Sequence, residues 1–202
     1  MKADFKAYLV TGILTIVLLG GCAGQTSEKE SVPSAGSPET IASGESELAS
    51  SESVKDMTVF EAQDTEGNTV SSDIFSESRL TMINVWATYC QPCLREMPEL
   101  GQLAGEYDKS DFQIIGIISN VQEGAEEKQT TKAKSLIEQT GAAYPHLYLN
   151  ESLFNALLTD VAAVPTTFFL DEEGNILDTV VGAREKEDWK ELIDSLLEDL
   201  SQ

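Results

Sequence analysis

Leu80-Thr81-Met82-Ile83-Asn84-Val85-Trp86-Ala87-Thr88-Tyr89-Cys90-Gln91-Pro92-Cys93-Leu94-Arg95-Glu96-Met97-Pro98-Glu99-Leu100 is the stretch from which the fold can be read. Leu80 to Trp86 is a nearly continuous apolar run with β-branched residues, as expected of a strand covered on both faces by helices. Pro92 to Tyr107 reads as a helix. Pro92 is tolerated in its first turn, where the missing N–H has no intrahelical partner, and Pro98 is expected to kink it. Cys90 and Cys93 therefore fall at the junction of a strand end and a helix start. Unpaired N–H groups and the helix dipole there stabilise a thiolate relative to a thiol. Two intervening residues bring the sulfurs within bonding distance across one helical turn, so a mixed disulfide formed on one can be resolved by the other. Cys90 is expected to face outward as nucleophile and Cys93 inward as resolving residue. The competing readings are half of a metal site and an inert structural disulfide. A metal site needs further ligands, and the chain has three cysteines and one histidine, His146.

Working outward, Phe112 to Ile118 is a second apolar, β-branched run, and the two runs are expected at the sheet centre. A polar helix is expected from Ala125 to Thr140, closed by Gly141, and a short one from Ser152 to Leu158. Thr166 to Leu170 and Ile176 to Val181, joined through Gly174-Asn175, form a hairpin. Trp189, Leu192, Ile193, Leu196, Leu197 and Leu200 recur at helical spacing, an apolar stripe that belongs to the core. Val59 to Ala62 and Val70 flank a turn at Asp64-Thr65-Glu66-Gly67-Asn68 and read as a small leading hairpin. This alternation of strand and helix patterns over residues 56–202 argues for one α/β domain with a largely parallel central sheet.

With 35 acidic against 13 basic residues and a net charge of −22, the chain is unsuited to nucleic acid, whose binding depends on Lys and Arg. The chain opens with Lys2 and Lys6, an apolar run from Ala7 to Gly20, and Leu19-Gly20-Gly21-Cys22. The run falls short of the roughly 20 residues of a membrane-spanning helix and fits a cleaved export signal over residues 1–21. Leu19 to Cys22 resembles the bacterial lipobox, which implies lipidation of Cys22 as the first mature residue. An ordinary secretory signal followed by a chance cysteine is the alternative. Residues 22–55 are rich in Ser, Glu, Gly and Pro and poor in large apolar side chains, the composition of a disordered tether with a span of about 30 Å.

Asn84 to Leu100, together with Val164-Pro165-Thr166-Thr167-Phe168-Phe169-Leu170-Asp171 and the following Gly174 and Ile176, resembles the thioredoxin-like thiol-disulfide oxidoreductases of the TlpA/ResA type. The resemblance extends over about Val59 to Leu200. It implies a three-layer α/β/α fold with a mixed central sheet, to which the Asp64 to Phe75 region adds an N-terminal hairpin. It also implies a cis Val164–Pro165 bond against the cysteine pair, backbone hydrogen bonds from Val164 to a substrate, and Trp86 flanking the entrance. Gln91 and Pro92 occupy the dipeptide that tunes reduction potential. Ordinary thioredoxins have a buried aspartate where this chain has Asn84, which cannot take a proton. Glu96 stands where ResA-type proteins have a glutamate implicated in proton handling; the alternative for Glu96 is a solvated helix position.

The expected activity is a membrane-tethered, extracytoplasmic thiol-disulfide oxidoreductase that reduces disulfides of exported proteins. Its redox group is the Cys90–Cys93 pair, with no metal and no added cofactor. Export implies an electron supply of the CcdA or DsbD type in the membrane. Apocytochrome c and methionine sulfoxide reductases are the clients that the resemblance offers. The alternatives are a disulfide-forming oxidase and, on the same fold, a copper-delivery protein using His146. A peroxidase is disfavoured because Ala87-Thr88-Tyr89 lacks the proline-containing peroxide loop of that branch.

Overall fold

The structure is a computed structural model that describes residues 58–201. The expected signal at residues 1–21, Cys22 and the expected tether at 22–55 lie outside the described residues. The chain runs β1 (Glu61–Gln63), β2 (Thr69–Ser71), a 3₁₀ turn (Ser72–Glu77), β3 (Leu80–Trp86), α1 (Gln91–Leu103), β4 (Phe112–Gln122) and α2 (Glu127–Thr140). It continues through β5 (His146–Leu149), α3 (Glu151–Leu153) with a π-helical turn (Phe154–Leu158), β6 (Thr166–Asp171), β7 (Ile176–Val181) and α4 (Lys186–Asp199). β1 and β2 pair as an antiparallel hairpin, while the other five strands form one sheet in the order β5-β4-β3-β6-β7.

β3 lies at the centre, parallel to β4 and antiparallel to β6. The sheet is mixed rather than largely parallel: β6 runs antiparallel to β3, and the turn at Gly174-Asn175 folds β7 back on β6. Alternation along β3 sends its side chains into two cores. Leu80, Met82 and Trp86 meet Met97, Leu100 and Leu103 of α1 and Trp189 and Ile193 of α4. Ile83 and Val85 meet Ile115, Ile117, Phe168 and Leu170 on the other face, beneath Phe60, Phe75, Leu153 and Leu157. The N-terminal hairpin and α3 with its π turn thus supply the layer opposite α1, α2 and α4.

Element boundaries shift by a few residues from the sequence reading. α1 starts at Gln91 and stops at Leu103, short of Tyr107, and continues unbroken through Pro98. β4 runs four residues past Ile118, and α2 ends on Gly141 in the left-handed conformation at φ 68°. That C-terminus touches α1 closely. A Cβ on Gly101 would fall 2.4 Å from the Gly141 carbonyl oxygen, so only glycine allows the backbones to meet.

Gly101→Ala raises helix propensity by about 1 kcal/mol, yet the collision is with backbone and cannot be relieved by a rotamer change. We expect a net destabilisation of about 1–3 kcal/mol, read from the urea midpoint at unchanged slope. A stabilised variant would show that the two helices do not make this approach.

Candidate active site

β3 ends at Trp86, and the loop Ala87-Thr88-Tyr89 carries the chain into α1 with Cys90 as the helix cap. Two contacts from the overhanging end of β4 fix this loop. Ser119 Oγ donates to the Trp86 carbonyl at 2.9 Å. Asn120 holds Thr88 twice, its Oδ1 accepting from the Thr88 N–H and its Nδ2 donating to Thr88 Oγ1, both at 2.9 Å. The Cys90 N–H donates to the Ala87 carbonyl. Cys90 Sγ accepts from the Cys93 N–H at 3.3 Å, so the sulfur occupies the place that a Ser or Asp oxygen takes in an ordinary N-cap. The two cysteines form a disulfide. Cys93 is fully buried and Cys90 is 6% exposed, so Cys90 is the sulfur nearer solvent, though through a narrow opening.

The β6 strand meets this pair from the other side. The Val164–Pro165 peptide is cis, and the Val164 carbonyl oxygen lies 3.5 Å from Cys90 Sγ. With the sulfurs joined this is a contact; a free Cys90 thiol has a proton to donate there. Pro165 is buried and its carbonyl accepts from the Gly182 N–H, while Val164 is partly exposed and Gln91 and Pro92 are exposed.

Trp86 departs from its expected place at the entrance. It is wholly buried, and its indole N–H donates to His146 Nδ1 at 3.1 Å. The exposed aromatic beside the disulfide is instead Tyr89, at 67%. The alternation of β3 accounts for the difference, because Trp86 falls on the same face as Leu80 and Met82. His146 is buried as well, its Nε2 paired with the Ala142 carbonyl at 3.1 Å. Both ring nitrogens are thus committed, and burial lowers its pKa to about 4. Its ring lies where a Cβ on residue 116 would be, 2.1 Å from Nδ1, which requires Gly116. His146 therefore offers no free imidazole nitrogen for a copper ion.

Glu96 follows Cys93 by one turn on the same side of α1. It is buried rather than solvated, at 3% exposure. Its Oε1 accepts from Asn84 Nδ2 at 3.0 Å and its Oε2 from the Arg184 backbone N–H at 3.3 Å. Burial pushes its pKa up to about 7, the hydrogen bonds from Asn84 and the Arg184 N–H opposing the rise and the Glu99 charge adding to it. The Asn84 amide also donates to Thr167 Oγ1 at 3.2 Å, which ties β3, α1 and β6 together beneath the disulfide.

The structure thus brings Cys90, Cys93, Glu96, Val164 and Pro165 together, with Gln91 and Pro92 on the rim. Sequence reasoning passed over Tyr89, Ser119 and Asn120. The two polar residues ending an otherwise apolar strand at Ile118 were the available signal for the clamp on Thr88.

Residues 54–179 match the model of the AhpC/TSA family. The chain is 30% identical over 115 residues to the thiol-disulfide oxidoreductase ResA of Geobacillus thermodenitrificans, covering 56% of this chain and 61% of that protein. It is 30% identical over 120 residues to the thioredoxin-like protein YneN of Bacillus subtilis, covering 59% and 66%. The chain therefore spans somewhat less than two thirds of the length of these relatives. Among solved structures, a thiol:disulfide interchange protein of the thioredoxin family from Chlorobium tepidum superposes with a TM-score of 0.59 at 25% identity, over 69% of this chain and 93% of that one. A cysteine pair capping the helix that follows the central strand of a mixed five-stranded sheet agrees with each of these likenesses, and the chain belongs to the AhpC/TSA family with a thioredoxin-like domain.

Proposed function

We propose that this protein is a thiol-disulfide oxidoreductase, held by a lipid on Cys22 at the extracytoplasmic face of the cell membrane, that reduces disulfides of exported proteins. The observation that carries the activity is the seat of Cys90, a sulfur at a helix N-terminus within one turn of a second, buried sulfur. The names of the relatives support the same chemistry. The lipobox-like Leu19 to Cys22 supports the anchor.

In the reduced state the N–H groups of the first turn of α1 stabilise the Cys90 thiolate. That thiolate attacks one sulfur of the client disulfide and releases the other as a thiolate. Cys93 then gives up its proton and attacks Cys90 Sγ, closing the Cys90–Cys93 bond and releasing the second client sulfur. The client gains two electrons and, on protonation of its thiolates, the two protons that Cys90 and Cys93 lost. Glu96 receives the Cys93 proton, because a carboxyl titrating near neutrality inside the protein is a matched acceptor. A membrane dithiol donor of the CcdA or DsbD type restores the thiols by the reverse exchange. Apocytochrome c and methionine sulfoxide reductases are the client classes in view.

Two measurements check this reading. The Cys90/Cys93 couple is expected below about −220 mV against a glutathione or dithiothreitol buffer, whereas a value near about −120 mV would make the protein an oxidant of its clients. Cys93→Ser is expected to accumulate client adducts on Cys90, and the double variant with Cys90→Ser to lose them all; adducts that survive would assign attack to another sulfur.

Glu96 gives a test with a definite sign. Its folded pKa of about 7 lies above the ordinary 4.5, so the fold holds this proton more tightly than the unfolded chain does. Stability is unpenalised below the lower value and falls as pH rises through the higher one. Between pH 4 and pH 8 the oxidised wild type should lose about 3 kcal/mol relative to Glu96→Gln, measured by urea unfolding of both proteins. The same variant should slow Cys93 attack about tenfold or more at pH 7. Parallel stability curves together with matching rates across pH 5 to 9 would remove Glu96 from the mechanism.

A further inference from the structure

Between β7 and α4 the chain makes the short loop 182–185, and this loop meets the buried carboxyl of Glu96. The Arg184 N–H donates to Glu96 Oε2 at 3.3 Å, while the side chains of Ala183, Arg184 and Glu185 are exposed. A single layer of peptide therefore lies between Oε2 and water on this side. The loop's start is fixed by its backbone: the Gly182 N–H donates to the Pro165 carbonyl at 2.9 Å, with Gly182 at φ 97°, a conformation that favours glycine.

The end of the loop lacks the usual fastening. Glu185 stands at the N-cap of α4 and makes no side-chain hydrogen bond to the helix. Arg184 takes over that task. Its guanidinium carbon lies 5.7 Å from the centroid of the Trp189 ring, and Trp189 is wholly buried in the same core as Cys93 and Met97. The quadrupole of the indole attracts the cation. Among the described residues Arg184 forms no ion pair, so the ring is the partner its charge has.

We propose that Arg184 is a positioning residue for the proton step: by stacking on Trp189 it pins the loop 182–185 over Glu96 and keeps water off the carboxyl that receives the Cys93 proton. The inference rests on the redox reading above and adds the residue that sets the pH at which Cys93 can close the ring. A cover and a point charge act with opposite sign here. Burial is the largest cause of the raised Glu96 pKa, so lifting a cover lets it fall from about 7 towards the ordinary 4.5. Removing a nearby cation would raise it instead. The other groups around Glu96 leave that sign intact. On α1, Glu99 adds a negative charge and Cys93 is held in the disulfide. Asn84 on β3 is neutral, the Tyr144 phenol is pushed up by burial and by the Glu96 charge and stays protonated, and Lys186 is paired with Glu106.

The test follows the Glu96 carboxyl carbon by NMR in the oxidised full chain, its signal assigned as the one that Glu96→Gln removes. Arg184→Ala, at an exposed position where folding is not at stake, should lower the titration midpoint by about one pH unit. Arg184→Lys, which keeps a cation for the ring, should recover part of that shift. Gly182→Ala changes no charge, and its Cβ meets no atom within 4 Å, so it disturbs only the φ 97° backbone; it should move the midpoint the same way. A midpoint that stays put or rises in Arg184→Ala overturns the proposal. The reduced chain is then mixed with 5,5′-dithiobis(2-nitrobenzoate), which releases one thiolate when Cys90 attacks and a second when Cys93 closes the ring. In Arg184→Ala the first release should keep its rate, and the pH midpoint of the second should fall with that of Glu96. Equal pH profiles for the second release in the two proteins would remove Arg184 from the proton step and leave the redox reading standing. A wild type that releases no second thiolate would overturn the redox reading, whatever the carboxyl titration shows.

Discussion

One sulfur has to be held at the start of a helix and still be reached by a bulky partner. Cys90 meets the first requirement by standing in for the oxygen of an N-cap residue, with the Cys93 N–H aimed at it. The second conflicts with the first, because a residue that caps a helix between a strand end and a neighbouring strand is nearly enclosed, and Cys90 is 6% exposed. The compromise is made by the loop before it. Ser119 and Asn120 reach over from the end of β4 and hold Trp86 and Thr88 by three hydrogen bonds, which sets where α1 can begin. An extended β4 is therefore part of the site. Without it the loop would be free to move and the sulfur would lose the fixed orientation that exchange between aligned sulfurs requires.

Beneath the sulfurs the chain keeps a carboxyl where burial works against its charge. An ionised Glu96 with no partner would be costly in that position. The Asn84 amide and the Arg184 N–H reduce the cost without removing it, and the group remains poised near neutrality. Asparagine suits the position for a definite reason. A second carboxylate at residue 84 would face Glu96 across about 3 Å, and like charges at that distance cannot both ionise. With Asn84 supplying only hydrogen bonds, the proton equilibrium belongs to Glu96 alone. The amide's second bond, to Thr167, joins this pair to β6, which follows Pro165 directly, so the buried carboxyl and the cis-proline strand share one support.

Much of this was legible in the residues. The run Leu80 to Trp86 coincides with β3 and Ile176 to Val181 with β7, because continuous β-branched runs between turn signals leave little choice. The mixed sheet followed from the likeness to a known group; periodicity alone pointed to a largely parallel one. What stayed hidden were contacts between residues far apart in the chain. Trp86 sits beside the cysteines in sequence, yet its ring turns inward to a histidine sixty residues away, and that pairing depends on Gly116 leaving room for the imidazole. The burial of Glu96 depends likewise on the Arg184 loop closing over it, eighty-eight residues on. Alternation along β3 assigns Trp86 to the core face, and Tyr89, in the loop beyond the strand end, is left as the exposed aromatic beside the cysteines.

Membership of the AhpC/TSA family settles the layers and not the reaction, since one scaffold hosts several chemistries. The reaction is set by what surrounds the first cysteine. A second sulfur within the same helical turn lets the oxidised state close with no unwinding of α1, and here that state is seen with Cys93 inside the first turn and α1 intact. The loop before Cys90 is spent on hydrogen bonds to β4, which leaves its backbone little freedom to cradle a small oxidant. An open, mostly apolar groove lies instead between Tyr89 and Val164, bounded by Phe154 and Leu158. The Val164 carbonyl on its edge meets Cys90 Sγ, so there is open surface beside the sulfur pair as well as at it.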